Sequence, residues 1–205
     1  TKKNLEILDL VIQRQLGIRV VTNATVLLPE HMTRLSQIPN LELQISLDGI
    51  GHSYEFMRYP AQWTTVEANI YRIKNELKQA KINFNFVAQP LNAQYMIPTM
   101  DYANKLRIPI RLTNLVDPAW LTWQVLNDQE KTCLVEILNS QLDQYRLSTQ
   151  QKNEIRSYQQ TIRTTASAHN LRQTLQHKIR ATLELRNVSH EKILQHLGQL
   201  HSLLY

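Results

Sequence analysis

Over its first ~120 residues this chain alternates apolar segments of helical period with short segments of strand period, and that alternation limits it to few folds. Leu5, Leu8, Val11, Ile12 and Leu16 recur at helical spacing, and Gly17 follows where a left-handed C-terminal residue is wanted. Ile18–Thr22 is short and β-branched and reads as a buried strand ending at Asn23. Pro29 opens an amphipathic helix with Met32, Leu35 and Ile38 on one face, broken by Pro39 and Asn40. Leu41–Gly49 alternates Leu41, Leu43, Ile45 and Leu47 against polar neighbours, then runs through Asp48-Gly49 into a loop. Thr64 to Glu67 has the spacing of a capping box, and Val66, Ile70, Ile73 and Leu77 line the helix behind it to about Gln79. A third strand from Ile82 ends near Gln89, a helix spans Tyr95–Leu106, and a fourth strand from Ile108 closes at Asp117-Pro118.

Strands separated by helices at steps of roughly 25 to 40 residues predict right-handed crossovers and a parallel sheet. The fold class is therefore α/β. After Trp120 no strand-like run follows: helices are expected near Asp128–Tyr145, Thr149–Thr164, His169–Leu185 and Ser189–Leu204, with Asp128 and Ser189 as N-caps. Residues 1–126 thus form an α/β region and residues 127–205 an all-helical one. A parallel sheet that begins at Ile18 leaves an unpaired edge.

With 42% hydrophobic and 20% charged residues, the chain has the composition of a folded domain. Its net charge of +6 admits an anionic partner, but no zinc-finger spacing, RNA-reading aromatic motif or dense Lys/Arg run points to nucleic acid. No apolar run reaches the roughly 20 residues of a membrane span. The single cysteine, Cys133, excludes an internal disulfide and any all-cysteine metal or cluster site built from this chain alone, so the expected location is cytoplasmic. The chain opens on Thr1 and enters a helical pattern at once, which reads as a possible fragment.

Parallel α/β sheets bind ligands at the carboxyl ends of their strands. There the sequence places Thr22 and Asn23, then Ser46, Asp48 and Gly49, then Gln89 and Asn92, then Asn114 and Asp117. Hydroxyl, amide and carboxylate groups in that position can hydrogen-bond a ribose or an amino-acid head group; they are also ordinary turn residues.

The segment TNAT, followed after about twenty residues by ISLDGIGHSYEFMRYPAQWTTVEANIYRI, resembles radical S-adenosylmethionine (radical SAM) proteins of the twitch-domain type, relatives of the SPASM-type peptide-modifying enzymes. In that family a TN pair ends one barrel strand, S-x-D-G ends the next, and a loop carries Y-E-x-x-R before a Trp that opens a helix. Here those positions are Thr22, Asn23, Ser46, Asp48, Gly49, Tyr54, Glu55, Arg58 and Trp63. The resemblance runs on through Asn92 and the VDPAWL stretch, strongest from Ile18 to Leu126, and loosely to the closing LELRNVSHEKILQHLGQL.

The resemblance implies a partial TIM-type barrel of parallel strands followed by helices. It implies a cofactor pair, S-adenosylmethionine and a 4Fe-4S cluster that cleaves it reductively. The resulting 5′-deoxyadenosyl radical would abstract hydrogen from a peptide or small-molecule substrate. By carry-over, Ser46 and Asp48 lie near the ribose or methionine portion, Thr22 and Asn23 contribute from the neighbouring strand, Asn92 follows the third, and Arg58 offers a guanidinium to a carboxylate or pairs with Glu55. The cysteine triad and the glycine-rich G-G-E-P turn of the family are absent from this sequence, as are SPASM cysteines. This chain therefore has no cluster ligands and no catalytic residue of its own, and a missing N-terminal segment or a partner chain would supply the cysteines. The other class compatible with these residues is a non-catalytic α/β binding module or degenerate partner subunit.

Other groups read as structural. The histidines of the tail, among them His169, His177 and His196, lack metal-ligand spacing and are expected in solvent. At least two of Trp63, Trp120 and Trp123 pack internally. Arg156, Arg163, Arg172, Arg180 and Arg186 decorate a solvated face.

Overall fold

The computed structural model describes residues 2–186 and 190–204. It is an α/β protein with four parallel strands, β1 (Ile18–Thr22), β2 (Leu41–Ser46), β3 (Lys81–Ala88) and β4 (Ile110–Asn114), in spatial order β1-β2-β3-β4. In register, Ile18 lies beside Leu41 and Thr22 beside Ile45; Glu42 lies beside Lys81 and Ser46 beside Asn85. The helices between strands are α1 (Lys2–Gln13), α2 (Pro29–Leu35), α3 (His52–Met57), α4 (Trp63–Glu76) and α5 (Met96–Leu106). Behind β4 come α6 (Asp128–Gln144), α7 (Thr149–Thr164), α8 (His169–Arg186) and α9 (His190–Leu197), with no strand among the described residues.

Two compact units result. The first holds the residues up to Phe86 together with Ala103–Leu112; the second holds Val87–Tyr102 and the residues from Thr113 onward. In the first, Leu41, Leu43, Ile45, Leu47, Phe84 and Phe86 project from one sheet face and are at most 1% exposed, as are Val66, Ile70 and Ile73 of α4. Alternation along a strand puts these side chains on a common face. Each large apolar side chain so buried contributes about 1.5–3 kcal/mol. In the second, α6 packs on α7, with Leu134, Leu138 and Leu142 of one and Ile155 and Ile162 of the other buried.

Several local expectations are corrected. β1 is an edge strand, not a buried one: among the described residues it pairs with β2 alone, its residues alternate half-buried and exposed, and Val21 is 60% exposed. Gly17 does not carry the left-handed turn after α1; Gln15 does, at φ 50°. A Cβ on Gly17 would meet Asn40 Cβ at 3.1 Å, so this glycine serves close approach. α4 begins at Trp63, and no Thr64 capping box forms. Instead the Glu55 carboxylate accepts the Trp63 N–H at 2.8 Å. α6 is capped by Asn127 rather than Asp128, because Glu130 at the third position completes the reciprocal box with Asn127. Ser189 lies outside the described residues, and the final helix breaks at Gly198, whose φ is 53°. The loop after Gly49 contains the short helix α3, and two cis peptides occur, Tyr59-Pro60 and Asp117-Pro118.

Candidate functional site

The carboxyl ends of β1 and β2 and the α3 loop bring five of the six candidate residues into the first unit. Thr22 and Asn23 form a tight turn: Thr22 Oγ1 accepts the Ala24 N–H at 3.0 Å, and Asn23 Oδ1 accepts from the Thr25 amide at 3.2 Å and its hydroxyl at 2.8 Å. Short polar side chains that bond their own backbone two residues on are turn formers. Ala24 follows in left-handed conformation at φ 55°. Two donors hold the turn from outside: the hydroxyl of the buried Tyr54 donates to Asn23 O at 2.6 Å, and Nδ2 of the half-buried Asn69 to Ala24 O at 2.8 Å.

Asp48 is 5% exposed, and its carboxylate is paired with the Arg58 guanidinium. A carboxylate removed from water needs such a partner. Arg58 therefore pairs with Asp48, not with Glu55, whose carboxylate is engaged at the Trp63 N–H. Gly49 makes the intervening turn possible. Its φ is +152°, and a Cβ there would lie 2.3 Å from Ser53 Oγ and 3.1 Å from Tyr54 N. Ser53 Oγ is itself committed, donating to Ile50 O at 2.7 Å and accepting from Ile50 N at 3.0 Å. Tyr54 is fully buried, 5.5 Å from the Trp63 ring, and burial pushes its phenol up to about 12. It stays protonated at neutral pH and remains the donor to Asn23.

What the fold leaves without a partner among the described residues is narrower. The hydroxyl of Ser46, half-buried at the end of β2, meets no protein partner among the described residues. Arg58 Nε is buried without a hydrogen-bond partner. Beside it opens a cleft of about 430 Å³, lined among others by Asn23, Thr25, Arg58, Gln62 and Thr65.

The sheet face carrying Ser46 is polar. Alternation places Arg19, Glu42, Gln44, Ser46, Asn83 and Asn85 on it, opposite the apolar core, with Val21 of β1 as an exposed apolar side chain among them. Arg19 pairs with Glu42 at 3.6 Å and bonds Gln44, and Asn83 Nδ2 donates to Glu42 at 3.3 Å. Parallel sheets are ordinarily covered by apolar layers on both faces. This face is instead built for polar contact.

Asn92 belongs to the second unit and has a different task. It is fully buried, its Oδ1 accepts the Gln89 N–H at 3.0 Å, and its Nδ2 donates to Val87 O at 3.0 Å, so both ends of its amide hold the exit of β3. Asn114 Oδ1 likewise accepts the indole N–H of the buried Trp123 at 3.0 Å. Two expectations about the tail are corrected here. His196 is 1% exposed, its Nε2 lies 2.9 Å from Leu91 O, and its ring stacks 5.2 Å from that of Tyr95. Arg172 does not face solvent but forms a two-pronged ion pair with buried Glu130, at 2.6 and 3.0 Å.

Sequence reading did not find the hydrogen bonds by which Tyr54 and Asn69 hold the turn, nor that Gln62 and Thr65 line the cleft. The four-residue spacing of Tyr54 and Arg58 signals that both can address one side of α3; the reach of Asn69 across 45 residues carries no local signal. Among the described residues no group of three or more His, Cys, Asp or Glu could hold a metal ion, and no helix is long and apolar enough to cross a membrane. No protein-family model, curated protein or solved structure matches this chain at a significant level.

Proposed function

We propose that this chain is the S-adenosylmethionine-cradling part of a radical SAM enzyme of the twitch type, a partial TIM-type barrel with C-terminal helices. One observation carries the reading: a parallel sheet in unbroken chain order has a polar open face, and at the carboxyl rim of that face stand an unspent Ser46 hydroxyl and the Asp48–Arg58 pair. Strand order that never reverses fits an arc of a barrel rather than a doubly wound sheet. In this reading Ser46 hydrogen-bonds the ribose or methionine portion, Asp48 holds Arg58 in place, Arg58 meets the carboxylate, and Asn23 offers its amide nitrogen from the adjacent turn. Thr22 and Asn92 act by shaping the turns.

The chain's residues do not fit a 4Fe-4S cluster. Such a site needs three thiolates, and the one thiol here, Cys133 on α6, is pushed up by burial and by Glu136 and Glu130, away from the thiolate form. The cluster, its reductive cleavage of SAM and hydrogen abstraction from a peptide or small-molecule substrate therefore belong to the assembly with a cysteine-bearing polypeptide outside this sequence. No step of that chemistry is assigned to residues of this chain.

A second reading, a non-catalytic α/β binding module or partner subunit, is favoured by the hydrogen bonds that commit Thr22 and Asn92 to their own turns. Equilibrium dialysis with radiolabelled SAM separates the two. The radical SAM reading expects saturable binding with Kd on the order of 1 mM, weakened at least about tenfold by Ser46→Ala or Arg58→Gln with helicity unchanged. A folded chain with no saturable SAM binding sinks that reading and leaves the binding module.

A further inference from the structure

We propose that Arg111, with Asn85 beside it, holds a carboxylate of the substrate on the open polar face of the sheet, so that the substrate is a carboxylic acid or a peptide bearing one. Taking the bound molecule as substrate rests on the reading of Ser46 as a cofactor contact; the carboxylate site itself rests on the sheet.

Register brings Arg111 to this face. In a parallel ladder a residue donates its N–H to the carbonyl that precedes its neighbour. Between β2 and β3, Leu47 N–H donates to Asn85 O at 2.9 Å, and Ser46 lies beside Asn85. Between β3 and β4, Phe84 N–H donates to Pro109 O at 2.8 Å, which sets Phe84 beside Ile110 and Asn85 beside Arg111. Leu112, next along β4, is 6% exposed on the apolar side, so Arg111 turns to the polar one. Ser46, Asn85 and Arg111 therefore form one row across three strands, with Cα atoms spanning about 10 Å at the usual strand spacing.

Charge decides what that row can take. The strands put Arg19, Glu42, Lys81 and Arg111 on this face, three cations against one carboxylate. Glu42 is already spent: Arg19 Nε lies 3.6 Å from it, and Asn83 Nδ2 donates to it at 3.3 Å. Arg58 at the rim is neutralised by Asp48. Arg111, by contrast, is exposed, and its guanidinium makes no hydrogen bond or ion pair with a described residue. A guanidinium has N–H donors and no acceptor, in a fork that matches the two oxygens of a carboxylate. Its neighbours in the row, the Asn85 amide and the Ser46 hydroxyl, are neutral. One negative charge is balanced there; the second charge of a phosphate dianion is not. The surplus of positive charge on an open face also speeds the arrival of anions.

The test is an NMR titration of the 205-residue chain with N-acetyl-L-alanine, which carries a chain-end carboxylate, and with N-acetyl-L-glutamic acid α-amide, which carries a side-chain one. N-acetyl-L-alaninamide and inorganic phosphate are the controls. At least one acid should shift the Arg111 Nε–H and Asn85 amide signals saturably, with Kd on the order of 1 mM, and the tighter acid identifies the source of the carboxylate. Arg111→Met keeps the aliphatic stem of an exposed residue and should weaken binding at least about fivefold; Arg111→Lys, a point charge without the fork, should fall between. Binding of neither acid, an unchanged Kd in Arg111→Met, equal affinity for the neutral amide, or tighter binding of phosphate overturns the proposal. SAM dialysis on the same samples keeps the two readings apart. Arg111→Met should leave SAM affinity unchanged; a parallel loss would make the carboxylate the cofactor's own and overturn the substrate assignment. Acid binding through Arg111 in a chain that does not bind SAM upholds the carboxylate site and removes the radical SAM reading.

Discussion

Replacing Arg172 by Met should destabilise the helical unit far more than loss of a surface charge. Glu130 and Arg172 have side chains 4% and 15% exposed, and two guanidinium nitrogens reach the carboxylate at 2.6 and 3.0 Å. Arg172 also donates to Ser202 O at 2.7 Å and Val125 O at 3.3 Å, so one side chain joins α8, the segment before α6 and the C-terminal turn. Removing one partner of a buried pair leaves the other charge uncompensated, at a cost of about 3–5 kcal/mol. Glu130 keeps the Asn127 N–H at 2.9 Å and the Ser202 hydroxyl, which places the expected loss at the lower end, about 3 kcal/mol. In a chain of this size each kcal/mol moves Tm by roughly 2–4 °C, so Arg172→Met should melt about 6–12 °C earlier, followed by circular dichroism at 222 nm. Arg172→Lys keeps the charge without the fork and should fall between. A double-mutant cycle with Glu130→Gln should return a coupling of about 2 kcal/mol. A shift under about 2 °C in Arg172→Met would refute the claim that the pair is a buried, mutually dependent unit.

Gly49→Ala should cost about 2–3 kcal/mol in a urea titration, since φ +152° and a Cβ 2.3 Å from Ser53 Oγ leave no relaxed conformation; a neutral result would mean the Asp48-Gly49 turn is not as described. Tyr54→Phe should cost about 1–2 kcal/mol by leaving Asn23 O without its donor, and should increase amide exchange at Ala24 and Thr25; unchanged exchange would sever Tyr54 from the turn. Burial raises Tyr54 and Tyr95 to about 12, above the ordinary phenol near 10, so their contribution is intact below pH about 10 and is lost as pH rises toward 12; absorbance at 295 nm alongside alkaline unfolding checks this, and Tyr54→Phe should flatten part of the loss.

Local chemistry was enough to read much of the frame. The β-branched run at Ile18–Thr22, the alternation through Leu41–Ser46 and the helical spacing of Val66, Ile70 and Ile73 determine element type and which side chains turn inward, because the periods of helix and strand differ. Asn, Asp, Ser and Gly at strand ends announced the turns where the candidate site lies. Position in the sheet was another matter. Nothing in IRVVT distinguishes an edge strand from an interior one, since that depends on what else is present to pair. Partner choice was equally illegible: Arg58 selects Asp48 over the nearer Glu55, and Glu55 serves α4, because a left-handed Gly49 and α3 turn the loop back on itself. Arg172 and His196 looked like solvent-facing charges and rings in a polar tail; only helix packing, which brings Glu130 and Leu91 to them across 42 and 105 residues, makes them interior groups. Sequence by itself thus determined the elements and the polar residues at their ends, through local propensity and period. Tertiary structure alone decided which of those polar groups are spent on the fold and which, like the Ser46 hydroxyl and Arg58 Nε, have no partner among the described residues, because hydrogen-bond satisfaction is settled by neighbours far apart in the chain.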